Sequence, residues 1–181
     1  MSPEELRSFL RDDFPLVDAH PDVAGLFRHP RVLAALGPAL ADPFRSGRVT
    51  VVLAPEARGP VLGALVAQHL ACGLMLARKE GRNHPGADQR TSGGVGWHGA
   101  TEVFQSRSFD LDPSDRVLLV DDWITTGSSI RALFGIVEEA GADVVGASVI
   151  VDKSTGATRD ELAVRALVRF ADISGVAEPR G

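Results

Sequence analysis

The feature that most limits the fold is a set of short apolar runs separated by stretches of helical character. Residues 49–54 read VTVVLA, an apolar run with β-branched members. A strand without alternation is buried on both faces, which is the habit of parallel sheets. Residues 74–77, 116–120 and 143–151 give three more such strands, and 165–170 a last one. Between them, 61–71 and about 127–140 read as helices, the second ended by Gly141, and 158–164 as a short one. Strand alternating with helix predicts an α/β fold with a mostly parallel central sheet flanked by helices.

The N-terminal part is helical. Ser2, Pro3 and Glu5 form a capping box with proline in the first turn, and Leu6, Phe9 and Leu10 supply an apolar stripe. Residues 13–29 lack periodicity and read as irregular. Pro30 opens a helix to about Phe44, with Val32, Leu33, Leu36 and Leu40 as buried candidates. Residues 80–100 are rich in Gly, Asn, Asp, Ser and Pro. A structureless stretch of about 20 residues is beyond the usual loop length, so it reads as disordered or as a functional lid. Residues 102–109 read as a strand returning from it.

The chain of 181 residues suits one domain with no repeats. Its formal net charge of −5 gives no global basic field for nucleic acid. The single cysteine, Cys72, excludes an intramolecular disulfide, and a reduced, cytoplasmic setting is the simplest expectation. The apolar stretch 61–77 is short and interrupted by Gln68 and His69, so no membrane span is expected. No secretory signal is visible.

The chemistry is concentrated in residues 117–129, VLLVDDWITTGSS. A buried strand ends in two carboxylates, Asp121 and Asp122. Thr125, Thr126, Gly127, Ser128 and Ser129 follow and enter a helix. In open α/β sheets ligands bind at the carboxyl ends of strands. A hydroxyl- and glycine-rich entry to a helix offers free backbone N–H groups and the positive end of the helix dipole, which suits a phosphate. The neighbouring carboxylates would repel a phosphate and suit sugar hydroxyls and a metal ion instead. A ribose 5-phosphate satisfies both ends. No G-x-x-x-x-G-K-[ST] pattern is present, which argues against a generic P-loop.

This segment resembles the phosphoribosyl-pyrophosphate motif of type I phosphoribosyltransferases. Residues 51–63 (VVLAPEARGPVLG) and 76–81 (LARKEG) look like the corresponding stretches of adenine phosphoribosyltransferases, and 13–15 with the Pro30 helix are similar to that family's N-terminal region. The resemblance runs from about residue 5 to 170. It implies a type I phosphoribosyltransferase fold over residues 1–181, with a hood from about 1–29 and the C-terminal part, and a flexible lid at about 80–101. It implies that Asp121 and Asp122 contact ribose hydroxyls and Mg2+. It further implies that Thr125, Thr126, Gly127, Ser128 and Ser129 hold the 5-phosphate. Ala57, Arg58, Gly59, Arg78 and Lys79 match positions that bind pyrophosphate. Stabilising that polyanionic leaving group is the main catalytic task.

The base half departs from the family. The lid pattern Tyr-x-x-Glu-Tyr-Gly falls on Gly94, Trp97, His98 and Gly99, and this chain has no tyrosine. The family glutamate therefore falls on Trp97. Glu102 and His98 are the candidates for handling the proton. The family's Phe-Arg-Asp falls on His20, Pro21 and Asp22. With Trp97 and Ile124, His20 and Asp22 are the candidate base contacts. The resemblance thus implies Mg2+-dependent transfer of ribose 5-phosphate from 5-phosphoribosyl-1-pyrophosphate to a nucleobase, an adenine-like purine being favoured, in a homodimer. The alternative is a non-catalytic regulator of the same fold that senses phosphoribosyl pyrophosphate or a nucleotide. Neither reading calls for nucleic acid or a membrane as partner.

Overall fold

The structure is a computed structural model that describes residues 1–96 and 98–176. The first helix, α1 (Pro3–Asp12), starts at Ser2, whose hydroxyl accepts the Glu5 N–H while the Glu5 carboxylate accepts the Ser2 N–H. The stretch expected to be irregular contains a two-residue hairpin, β1 (Leu16–Val17) and β2 (His20–Pro21), and one helical turn, α2 (Val23–Leu26). Pro30 then opens α3 (Pro30–Ala41), which continues as a 3-10 segment, Asp42–Gly47. Val32, Leu36 and Leu40 are buried as expected, and Leu33 is half-buried.

The central sheet follows. It comprises β3 (Val51–Pro55), β4 (Gly73–Lys79), β5 (Gln89–Val95), β6 (Thr101–Ser106), β7 (Arg116–Ile124), β8 (Asp143–Asp152) and β9 (Val164–Arg169). The helices between them are α4 (Gly59–Leu70), α5 (Ser128–Glu139) and α6 (Gly156–Glu161). Across the sheet the order is β5-β6-β4-β3-β7-β8-β9. Strands β4, β3, β7, β8 and β9 pair in parallel, and the β5–β6 hairpin joins antiparallel at the β4 edge. The α/β fold with a mostly parallel sheet is therefore as expected.

Burial explains the unalternated strands. On β7, Leu118 and Val120 enter one core with α1, α3 and α4, while Val117 and Leu119 enter a second core with α5. Each residue points to the opposite face from its neighbour, so both faces demand apolar side chains. Burying each of these side chains fully stabilises the fold by about 1.5–3 kcal/mol.

Two expectations change. Residues 80–100 are not a structureless excursion, because Gln89–Val95 form β5 against β6. The strand was hidden by its composition, QRTSGGV, which lacks apolar alternation. Its order comes from tertiary contact: Thr91 Oγ1 donates to the Ala132 carbonyl of α5 at 2.9 Å. Gly93 lies so close to α5 that a Cβ there would sit 1.8 Å from the Ser128 carbonyl oxygen. The second change concerns β7, which continues to Ile124 instead of ending at Val120. Asp121 and Asp122 thus belong to the strand.

Among the described residues no helix is long and apolar enough to cross a membrane. Stretch 61–77 folds as parts of α4 and β4, with Val66 and Ala67 against the α3 side of the core and Met75 and Ala77 in the other core.

Candidate functional site

The carboxyl ends of β3, β4 and β7 lie side by side, and they carry most of the polar residues singled out in the sequence. After β3 come Glu56, Ala57 and Arg58, the Glu56–Ala57 peptide being cis. Strand β4 ends in Arg78 and Lys79. Strand β7 carries Asp121 and Asp122 near its end. These ends open onto a cleft of about 360 Å³. Ala57, Arg58, Lys79, Asp121 and Asp122 line it, together with Thr125 and Ser129. The β5–β6 side contributes His98 and Glu102, and the N-terminal hairpin contributes His20.

Its electrostatics are internally balanced. Arg58 Nε donates to the Asp122 carboxylate, and Lys79 Nζ to Glu102. Glu102 also accepts from Ser129 Oγ at 3.5 Å. Arg78 pairs with Glu56 at 2.8 Å, and the Lys79 backbone N–H donates to the same carboxylate at 3.1 Å. The Arg78 bond, with the Lys79 N–H, outweighs partial burial and holds Glu56 below the ordinary carboxylate range. Asp121 is different. It is 8 % exposed, and burial and then the neighbouring Asp122 charge push its carboxyl well above the usual range. Its compensating contacts are the Asp122 N–H, donating to its Oδ1 at 2.8 Å, and the more distant charge of Arg58.

Thr125, Thr126 and Gly127 lead from β7 into α5. Gly127 takes the left-handed conformation, φ +83°, and a Cβ there would sit 2.8 Å from Leu162 Cδ1 and 2.9 Å from Thr158 Cγ2. Both the dihedral and the space call for glycine. No side chain caps α5 at Gly127. The Ser128 N–H donates to Thr126 Oγ1 at 3.3 Å, and a helix N-terminus with no N-cap side chain is the kind of place that binds anions. A small pocket of about 30 Å³ at this turn is lined by Gly127, Ser128 and Ile130 and shares Trp123, Thr125 and Ser129 with the larger cleft. The turn is braced from behind. Arg131 Nη1 donates to the Thr126 carbonyl at 2.7 Å while its other nitrogens hold Glu161 of α6 at 2.9 and 2.7 Å.

Several singled-out residues lie elsewhere. Arg78 does not line the cleft; it fixes Glu56 and the Asn83 carbonyl. Gly59 is buried in the first turn of α4, and Asp22 sits at the N-cap of α2. Ile124, expected at the base, is 2 % exposed and packs in the core with Ile130, Leu133 and Leu162. The extended strand explains this correction, because residues 123 and 124 point to opposite faces. Trp97 lies outside the described residues.

Two residues not singled out, Trp123 and Lys153, also line the cleft, and a third, Phe170, packs against them. Trp123 stacks on His20 with ring centroids 5.4 Å apart and planes 3° apart. Phe170 tilts against both, at 5.9 Å from Trp123 and 6.5 Å from His20. Lys153 Nζ stands 4.2 Å from the centre of the Phe170 ring. Trp123 was legible in principle, as the bulky residue between the paired carboxylates and the hydroxyl loop. Lys153 and Phe170 carry no local signal, since they follow the separate strands β8 and β9.

Comparison with known proteins agrees with this geometry. The family model "Phosphoribosyl transferase domain" matches residues 22–171. An adenine phosphoribosyltransferase of Dinoroseobacter shibae is 36% identical over 156 residues, covering 84% of this chain and 86% of the relative. An orotate phosphoribosyltransferase of Thermus thermophilus is 33% identical over 145 residues, covering 80% of this chain and 69% of the relative. The crystal structure of adenine phosphoribosyltransferase from Rhodothermus marinus superposes with a TM-score of 0.76 at 30% identity, covering 93% of this chain and 98% of that one.

Proposed function

The chain belongs to the phosphoribosyl transferase domain family, and from that premise we propose that it transfers ribose 5-phosphate from 5-phosphoribosyl-1-pyrophosphate to a ring nitrogen of a nucleobase, releasing pyrophosphate. One observation carries the reading. The uncapped turn into α5, the carboxylates of β7 and the cations Arg58 and Lys79 converge at neighbouring strand ends. A ribose 5-phosphate bearing pyrophosphate has its charges in that order: phosphate, neutral hydroxyls, polyanion.

In this reading the N–H groups and hydroxyls of Thr125, Thr126, Gly127, Ser128 and Ser129 hold the 5-phosphate. Asp121 and Asp122 accept the ribose hydroxyls. Arg58 and Lys79 face the pyrophosphate, with the Ala57 backbone beside them. As the bond from the anomeric carbon to pyrophosphate breaks, negative charge gathers on the leaving group, and fixed cations stabilise it there. The acceptor nitrogen bonds to the same carbon, and its proton passes to a base. Glu102 and His98 line the cleft on that side and take this role; the presence of the Glu102 carboxylate supports turnover over a purely regulatory function.

The donor set also suits Mg2+. Asp121 is a buried carboxylate whose charge is poorly compensated, so a divalent cation would relieve it. Among the described residues no group of three or more His, Cys, Asp or Glu side chains could hold a metal. Two carboxylates completed by substrate oxygens is a usual Mg2+ arrangement. When bound, the ion would neutralise charge on the leaving group.

Residues 1–29 form a hood over the base side in this reading, supported by His20 at the cleft. The relatives' names favour a purine acceptor. A homodimer and a cytoplasmic setting belong to the same proposal, supported by the family and by the single cysteine. Incubation with phosphoribosyl pyrophosphate, Mg2+ and a panel of nucleobases tests the reading. Base-dependent pyrophosphate release is the expected result; its absence with every base counts against an enzyme.

A further inference from the structure

One carboxylate holds hydrogen-bond donors proposed for both ends of the substrate. Glu102 accepts from Lys79 Nζ through Oε1 and from Ser129 Oγ through Oε2, the second at 3.5 Å. In the phosphoribosyl-transfer reading Lys79 faces the pyrophosphate and Ser129 the 5-phosphate. The contact follows from strand register. Lys79 on β4 pairs with Phe104 on β6, so Glu102 is its diagonal neighbour on the same face, within reach of a long side chain. The hairpin tip agrees with this placement. A Cβ on Gly96 would lie 3.5 Å from Ser128 Oγ and 3.9 Å from Glu102 Cγ, so the tip already meets the turn into α5.

The other carboxylates of the cleft are fixed more firmly. Asp121 is buried on β7, and the side chain of Asp122 beside it is 11% exposed. Glu56 is tied to Arg78 and to the Lys79 backbone N–H. Glu102 lies on the antiparallel hairpin, outside the parallel part of the sheet, with its side chain 31% exposed and that of Lys79 45% exposed. An ion pair this open is weak and readily exchanged. Attraction scales with the product of the charges, so a pyrophosphate draws the ammonium more strongly than a single carboxylate does.

We propose that Glu102 competes with the substrate's anionic groups for Lys79 and Ser129, so that binding of phosphoribosyl pyrophosphate releases its carboxylate to take the acceptor's proton. This inference rests on the phosphoribosyl-transfer reading and adds what controls its base. The exchange makes and breaks no covalent bond. Lys79 passes from the Glu102 carboxylate to a pyrophosphate oxygen, and the Ser129 hydroxyl from Glu102 to a 5-phosphate oxygen.

The test is calorimetric binding of pyrophosphate, at fixed Mg2+ and ionic strength. It compares the full chain with Glu102→Gln, Glu102→Ala, Lys79→Met and the double variant of Lys79→Met with Glu102→Gln. Competition predicts that both single Glu102 variants bind pyrophosphate about fivefold tighter than the native chain, while their turnover falls because the proton acceptor is gone. In the Lys79→Met background, Glu102→Gln should move the affinity by less than about twofold, since no ammonium is left to contest. Slower turnover without the gain in affinity would confine Glu102 to the chemistry and overturn the competition. An equal gain with and without Lys79 would overturn it too, because Glu102 would then act only through the repulsion of its charge. In either case the transferase reading stands if the native chain binds ribose 5-phosphate. If the native chain binds neither ribose 5-phosphate nor pyrophosphate, both fall.

Discussion

Arg58 and Asp122 meet in an ion pair although 64 positions separate them in the chain. One follows β3 and the other lies on β7, and these strands are neighbours in the sheet. The pair joins the cation proposed for pyrophosphate to a carboxylate proposed for ribose. Arg58→Ala should lower kcat/KM for phosphoribosyl pyrophosphate by about 100-fold or more, since the variant loses a fixed charge at the developing anion. Asp122→Asn should be comparably impaired. Steady-state pyrophosphate release checks both; near-normal rates in either variant would remove that residue from the mechanism.

Gly127 is the hinge between the hydroxyl loop and α5. Alanine there must adopt φ +83° and push against Leu162 and Thr158. Gly127→Ala should cost about 1–3 kcal/mol of stability and weaken ribose 5-phosphate binding. Urea denaturation and calorimetry measure the two effects separately. A variant with wild-type values in both would mean that the turn relaxes freely.

Gly93 tests whether residues 80–100 work as an ordered hairpin. A methyl group there meets the Ser128 carbonyl oxygen at 1.8 Å, so β5 cannot stay seated on α5. Gly93→Ala should raise amide hydrogen exchange across Gln89–Val95 and reduce turnover, while leaving exchange in β7 and β8 unchanged. Unaltered protection in β5 would show that the contact does not hold the hairpin.

Arg131 should act on binding and not on chemistry. It touches the Thr126 carbonyl and Glu161, and it is absent from the lining of the cleft. Arg131→Ala should raise KM for phosphoribosyl pyrophosphate by about tenfold with kcat little changed, as expected for loss of one charge-assisted brace. An equal fall in kcat would point to a more direct role.

Asp152 supplies a pH-dependent contribution to stability. Burial pushes its carboxyl up, but bonds from Ser154 and Arg159 outweigh burial and hold it below the ordinary range. A group with a depressed folded pKa stabilises fully above its unfolded pKa, about 3.9 for Asp, and loses that stabilisation as pH falls through the folded value. Acid denaturation should therefore be shallower in Asp152→Asn, which also loses about 3 kcal/mol at neutral pH by leaving Arg159 without its partner. Chemical denaturation from pH 7 to pH 3 (roughly the span of carboxylate titration) measures the slope.

The elements whose signals are local were legible in the chain. Ser2 and Glu5 announce α1, and the unalternated runs announce β3, β7 and β8, because burial on two faces leaves no position for a polar residue. Residues 117–129 announce a strand end, a carboxylate pair and a helix entry, because each needs its residue types at consecutive positions. The remainder depends on contacts between distant segments. Strand β5 is ordered by α5 and β6, so its own composition reads as loop. Arg78 and Lys79 are adjacent in sequence, yet only Lys79 lines the cleft. Ile124 is buried and its neighbour Trp123 lines the cleft because β7 runs on beyond Val120. The residues proposed for the donor half are mostly consecutive, so the sequence by itself determined that their carboxylates, hydroxyls and glycine would lie together. The aromatic side of the cleft brings together His20, Trp123, Lys153 and Phe170 from four parts of the chain, and only the packing of β8 and β9 beside β7 decided that.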